Sequence, residues 1–156
     1  MVEVTVSGRG KLELEYLILD LNGTIALDGE IIEGVAERID QLGQLLDIFI
    51  VTADTRGNAE KLTKDLKAKL HKIKPGEENA QKLALVLKLG KDKTVSIGNG
   101  SNDVSMLKES AIGICILGKE GASTEAVMAS DLVVSDINDG LDLLIKSERL
   151  VASLRR

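Results

Sequence analysis

Tyr16-Leu17-Ile18-Leu19 is an uninterrupted apolar run that stops on a carboxylate, Asp20. A strand that is apolar at every position has both faces buried, as the central strands of a parallel sheet do. Comparable runs recur at Ile48-Phe49-Ile50-Val51, Thr94-Val95-Ser96-Ile97, Ile112 to Ile116 and Leu132-Val133-Val134, with a shorter segment around Ile73. Between them the apolar spacing becomes helical. Val35, Ile39, Leu42 and Leu46 share one face, and Ala59, Leu62, Leu66 and Leu70 mark a second amphipathic helix. Ala80, Leu83, Ala84 and Leu87 mark a third that stops at Gly90, Val104 with Leu107 marks a short one, and a last helix is expected over about 137–153. Strand and helix in strict alternation predict an α/β fold: a doubly wound parallel sheet with helices on both faces. The alternating Val2 to Val6 and Leu12 to Leu14, joined through Ser7-Gly8-Arg9-Gly10, add a hairpin ahead of it.

A chain of 156 residues suits one domain, and residues 1–156 are read as such. With one Phe and one Tyr, the core must be built from Leu, Ile, Val and Ala, and recognition by aromatic stacking is not expected. The formal charge of −5 argues against nucleic acid as a partner, because phosphate backbones reward a basic patch. A lone cysteine, Cys115, within an apolar run excludes an intramolecular disulfide and reads as a buried, inert thiol. No apolar stretch approaches the ~18 residues of a membrane span, so the protein is expected to be cytoplasmic, with no membrane partner. Met106 and Met128 fall at apolar helical positions and are expected in the core. His71 reads as a surface residue near a helix end, and Gly118-Lys119-Glu120-Gly121 as a solvent loop beside the site.

In a doubly wound sheet the site lies at the carboxyl ends of the strands, and four segments fall there. Asp20-Leu21-Asn22-Gly23-Thr24 follows the first buried strand, where a carboxylate can serve as nucleophile and the turn presents N–H groups to an anion. Asn-Gly is also a common turn pair. Thr52 ends the next strand and can donate to a phosphoryl oxygen, while Asp54 or Thr55 reads as a helix cap. Lys82 lies in the third helix. Gly98-Asn99-Gly100-Ser101-Asn102-Asp103 turns tightly after a buried strand, and Asp103 with Asp20 gives a hard cation such as Mg²⁺ the oxygen ligands it prefers.

This ordered set resembles the haloacid dehalogenase superfamily of phosphatases and phosphotransferases, and within it the phosphorylation domain of P-type ATPases and related small soluble proteins. Asp20-Leu21-Asn22-Gly23-Thr24 stands for Asp-x-Asp-Gly-Thr, and Gly98 to Asp103 for Gly-Asp-Gly-x-Asn-Asp. The resemblance covers about residues 14–146. It implies a three-layer Rossmann-like fold without a cap domain, and an Mg²⁺-dependent phosphohydrolase acting on a small phosphorylated molecule. Asp20 would carry a transient aspartyl-phosphate. The implied catalytic residues are Asp20, Asn22 and Lys82; the substrate-binding residues are Thr52, Ala53, Lys82, Gly23 and Asn102; the metal ligands are Asp20, Asn22, Asp103 and Asn99.

Two departures from the family pattern matter. Asn22 stands where phosphatases carry an acid/base aspartate, and Asn99 stands where an aspartate is usual. Loss of the acid/base group is worth ~10²–10⁴-fold in rate, so activated phosphates are the expected substrates and dephosphorylation is expected to be slow. The ATP-binding insertion of the ATPases is absent, since only Thr55 to Pro75 lies in its place. Capless members often use a neighbouring subunit to cover the site, which implies a homo-oligomer. Two other readings stay open on the residues alone: a non-catalytic Mg²⁺- and phosphate-binding regulatory module, and a receiver-like domain phosphorylated by a partner kinase.

Overall fold

The protein's structure, a computed structural model, describes residues 1–54 and 57–156. The chain opens with an antiparallel hairpin of β1 (Val2–Val6) and β2 (Gly10–Leu14), whose alternating residues bury Val2, Val4, Val6 and Leu14. Strand β3 (Tyr16–Asp20) follows, then a small flap made of β4 (Ala26–Leu27) and β5 (Glu30–Ile31). Helix α1 (Val35–Leu42) leads to β6 (Asp47–Thr52), α2 (Ala59–Thr63) and β7 (Lys69–Lys72). Next come α3 (Glu78–Leu89), β8 (Thr94–Gly98), α4 (Val104–Glu109) and β9 (Ile112–Ile116). The chain continues through α5 (Thr124–Ala129), β10 (Leu132–Val134), α6 (Ile137–Ile145) and α7 (Ser147–Leu154).

Six strands form one sheet in the order β10-β9-β8-β3-β6-β7, with every pair parallel. This is the doubly wound α/β arrangement that the apolar runs predict, and it puts β3 in the middle. The side chains of β3 alternate between the two layers. Leu17 and Leu19 join the larger core with α1, α6 and α7, while Ile18 joins Val51, Leu85, Val86 and Met106 on the α3–α4 side. Asp20 follows Ile18 in that parity, so its carboxylate points to the layer that holds α3. The insertion between β3 and α1 is the flap alone, and no cap domain is present among the described residues.

Several boundaries differ from the sequence expectation, each for a physical reason. The helix expected from Ala59 through Leu70 ends at Thr63, and Leu70 pairs with Ile50 in β7. His71 also lies on that edge strand and not at a helix end. Two-residue and four-residue spacings coincide over so short a run, and the exposed edge of β6 recruits the segment. The last helix breaks at Lys146 into α6 and α7, which lets Leu150 and Leu154 turn back onto the core beneath β1. Met106 is buried but Met128 is 79% exposed, because α5 turns Ala126 inward instead. Helix α3 departs furthest from its apolar pattern. Ala80, Ala84 and Leu87 face out, and the buried residues are Lys82, Leu85 and Val86. Asp54 does receive the first N–H groups of α2, from Asn58 and Ala59 at 3.2 and 3.3 Å, whereas Thr55 lies outside the described residues. Cys115 is buried. Among the described residues no helix is long and apolar enough to cross a membrane.

Sheet and helix approach to backbone contact at Gly113 on β9. A Cβ there would stand 2.1 Å from the Leu107 carbonyl oxygen of α4. Gly113→Ala is therefore expected to cost about 1–3 kcal/mol through forced separation of β9 and α4. Urea unfolding would show a lower midpoint with an unchanged slope.

Candidate active site

Asp20 ends β3 and Thr52 ends the adjoining β6, so the parallel register brings the two to one edge of the sheet. On the other side of β3, strand β8 ends at Gly98 and its loop returns over the same edge. Gly98 is fixed by close approach: a Cβ there would lie 2.4 Å from Asp103 Oδ2. That oxygen accepts from the backbone N–H groups of Asn99 and Gly100, both at 3.0 Å, which holds the loop around the fully buried Asp103 carboxylate.

Lys82 reaches into this edge from α3. Its ammonium donates to Asp20 Oδ1 at 3.1 Å and to Asp103 Oδ1 at 2.8 Å, with only 1% of its surface exposed. An unpaired ammonium at such a site would be expensive, and two carboxylates make it tenable. Helix α3 thus turns a charged residue inward because its partners are inside. A second contact fixes the register of α3: Asn79 donates to Ser105 Oγ at 2.8 Å and accepts from the Ser105 N–H at 2.9 Å.

Two carboxylates against one ammonium leave a negative charge uncompensated in a buried place. Burial, followed by repulsion from Asp103, raises the Asp20 pKa to about 7, although Lys82 pulls the other way. Burial also opposes the charged form of Lys82, but Asp20 and Asp103 outweigh it and hold the lysine pKa above its ordinary value. The cluster therefore favours an added cation.

Around Asp20 a cleft of about 270 Å³ is lined by Asn22, Thr52, Ala53, Lys82, Asn99 and Asn102, together with Asp54 and Glu78. Thr52 Oγ1 accepts from the Asp54 N–H at 3.1 Å, which leaves its hydroxyl proton free to donate into the cleft. Asn102 faces Glu78, with 3.5 Å between Nδ2 and Oε1. Asp103 sits beneath the cleft and reaches it through Lys82. Gly23 lies outside this cleft, buried in the turn with φ +82° and bordering a separate, more apolar groove.

The sequence reading assigned no role to three side chains found here. Thr24 Oγ1 stands 3.4 Å from Asp20 Oδ2 and 3.5 Å from Asn99 Oδ1, bridging the first and last motifs. Its place in the Asp-x-Asn-Gly-Thr run was the available signal. Glu78 lies four residues before Lys82, hence on the same helical face. Glu120, from the loop after β9, carried no local signal.

The donor set at this edge suits a hard divalent cation. An ammonium already bridges Asp20 Oδ1 and Asp103 Oδ1, so both carboxylates converge within reach of one positive charge. The Asn22 backbone carbonyl and the Asn99 amide oxygen are the other donors that the family resemblance implies. Among the described residues no three His, Cys, Asp or Glu side chains form a metal cage. Two carboxylates with amide oxygen and water match Mg²⁺ better than a dehydrating ion such as Zn²⁺.

The sequence model of the haloacid dehalogenase-like hydrolases matches residues 77–141, which span Lys82 and the Gly98–Asp103 loop. An uncharacterized protein of Methanocaldococcus jannaschii is 44% identical over 91 residues, covering 56% of this chain and 98% of that protein. The chain belongs to the haloacid dehalogenase-like hydrolase family. The chain is also similar to the phospholipid-transporting ATPase VB of Homo sapiens, at 33% identity over 101 residues. That match takes in 62% of this chain but 7% of the ATPase. In fold it is similar to the cobalt-bound deoxy-D-mannose-octulosonate 8-phosphate phosphatase of Haemophilus influenzae. The TM-score is 0.72 at 15% identity, over 88% of this chain and 90% of that one. At that identity the likeness concerns the fold alone.

Proposed function

We propose that this family member is an Mg²⁺-dependent phosphohydrolase that acts on small activated phosphates through an aspartyl-phosphate on Asp20. The observation that carries the reading is the Asp20–Lys82–Asp103 cluster: a carboxylate at a strand end, facing a cleft, with a buried ammonium on one of its oxygens. Asp20 forms a bond to phosphorus as the bond to the leaving oxygen breaks. Lys82 lowers the repulsion between that carboxylate and the incoming anion, and Thr52 and Ala53 hold the phosphoryl oxygens, with Asn102 completing the binding residues of the cleft. Mg²⁺, held by Asp20, Asp103 and the oxygens of Asn22 and Asn99, would supply charge neutralisation at the phosphoryl group. Asn22 cannot give a proton to the leaving group. Acyl phosphates, phosphoanhydrides and nitrophenyl phosphate, whose leaving groups need none, are the substrates this cleft favours.

The flap has two residues in each strand and does not by itself close the cleft. The reading therefore includes a homo-oligomer in which a second copy shields the site, and it places the protein in the cytoplasm. A non-catalytic phosphate-binding module is the competing reading, favoured by the amides at Asn22 and Asn99. Incubation with nitrophenyl phosphate and Mg²⁺ separates the two. Release of nitrophenolate that is lost with EDTA and in Asp20→Asn supports the hydrolase. Phosphate binding without release in the unaltered protein supports the module.

A further inference from the structure

We infer that Glu120 is the general base for hydrolysis of the phosphoenzyme, in place of the aspartate that Asn22 has displaced. The inference rests on the phosphoaspartate reading above. Asn22 lies in the turn that follows the nucleophile, and the next residue, Gly23, has no side chain. The Glu120 carboxylate takes up that space: its Oε2 lies 3.0 Å, and its Cδ 3.1 Å, from the point where a Cβ on Gly23 would stand. A side chain from a distant loop is thereby laid against the backbone that carries Asn22.

The loop is anchored to the site from below. Asn99 Nδ2 donates to the Gly121 carbonyl at 3.0 Å, and the Ser123 N–H donates to the Asn99 carbonyl at 2.9 Å. Asn99 has lost the charge of an aspartate but uses its amide to hold the Glu120 loop, a bond a carboxylate could not donate. Glu120 and Asn22 border one cavity of about 320 Å³, which adjoins the phosphoryl cleft through Asn22 and Asp54. The other carboxylates at the cleft carry contacts of their own. Asp20 is held by Lys82, Asp54 takes the N–H groups of Asn58 and Ala59 on Oδ1 while its buried Oδ2 lies 3.6 Å from the Lys72 ammonium, and Glu78 faces the Asn102 amide. Asp28 borders the cavity as well, but from the flap turn.

In the step assigned to it, Glu120 accepts a proton from the attacking water. The water oxygen bonds to phosphorus as the bond from phosphorus to the Asp20 oxygen breaks. The Asp20 carboxylate is regenerated, inorganic phosphate departs, and Glu120 passes its proton to solvent. The preceding phosphorylation by nitrophenyl phosphate needs no base.

Rapid-quench kinetics with nitrophenyl phosphate and Mg²⁺ test this. Glu120→Gln keeps the shape of the side chain. The first nitrophenolate burst is expected to persist, steady-state release to fall about 100-fold, the low end of general-base catalysis, and phosphoenzyme to accumulate. Adding Asn22→Asp to Glu120→Gln is expected to restore steady-state release, and Asp28→Asn to leave it unchanged. Unchanged turnover in Glu120→Gln, a burst that falls with the steady state, or the same loss in Asp28→Asn would overturn the assignment to Glu120. Absence of any Asp20-dependent release from the unaltered protein would instead overturn the phosphoaspartate reading, and this step with it.

Discussion

Lys82→Met is expected to destabilise the metal-free protein by about 3–5 kcal/mol at pH 8, the loss that follows when one partner is removed from a buried charge cluster. The ammonium lies 3.1 Å from Asp20 and 2.8 Å from Asp103, and it is 1% exposed, so solvent cannot replace it. What remains is a pair of facing carboxylates. The direction of the pH dependence follows from Asp20, which burial and Asp103 raise to about 7 even with the lysine present. A carboxyl whose pKa is higher in the folded state binds a proton that the unfolded chain has released. Its contribution to stability is therefore greatest below the unfolded value and is lost as pH rises through the folded one. Without Lys82 the folded value is higher still, so the variant should recover much of its stability at pH 5 and unfold most readily above pH 8. Urea midpoints measured in EDTA across that range check the effect. Phosphoryl transfer by the same variant should fall ~10²–10³-fold, as for loss of a positioned electrostatic stabiliser.

Asn22→Asp is the gain-of-function counterpart. Asn22 is exposed in the turn after β3, so the new carboxylate meets little desolvation and keeps the shape of the amide. It lines the cleft with Asp20 and borders the adjoining cavity where a leaving group has room. A carboxyl there can protonate an alkoxide as it leaves and then activate water. Hydrolysis of unactivated alkyl phosphate monoesters is expected to rise ~10²-fold or more. The first nitrophenolate burst should hardly change, because nitrophenolate leaves without a proton. Burst rates measured in parallel on a nitrophenyl and an alkyl ester check this. An equal rise in both bursts would point to altered binding and not to acid catalysis.

The strands were legible because a doubly buried strand leaves little choice of residue. Leu17 and Leu19 serve one layer and Ile18 the other, so the run at residues 16–19 had to be apolar throughout. Helix α3 was legible as a helix but not in its orientation. Its inward face carries Lys82 with Leu85 and Val86, and a functional lysine in the buried stripe defeats a reading that follows hydrophobic residues alone. The apolar Ala80, Ala84 and Leu87 drew attention to the wrong side. The segment from Ala59 to Leu70 failed differently: the three spacings among Ala59, Leu62, Leu66 and Leu70 fit a helix, yet the open edge of β6 made strand pairing available at Lys69–Lys72. At the site, Asp20, Thr52 and the Gly98–Asp103 loop could be gathered beforehand because each follows a buried strand. The contacts of Thr24 with Asn99 and of Glu120 with Gly23 join segments about 75 and 97 residues apart, and no local pattern reports them.

The central claim is that Asp20 is covalently phosphorylated during turnover. Quenching the protein in acid during reaction with nitrophenyl phosphate and Mg²⁺, followed by mass analysis of the peptide containing residue 20, tests it most directly. The expected result is one phosphoryl group on that peptide, labile to hydroxylamine as an acyl phosphate is, and absent from Asp20→Asn and from samples with EDTA. Steady release of nitrophenolate with that peptide unmodified at every quench time, or release that persists in Asp20→Asn, would contradict the account.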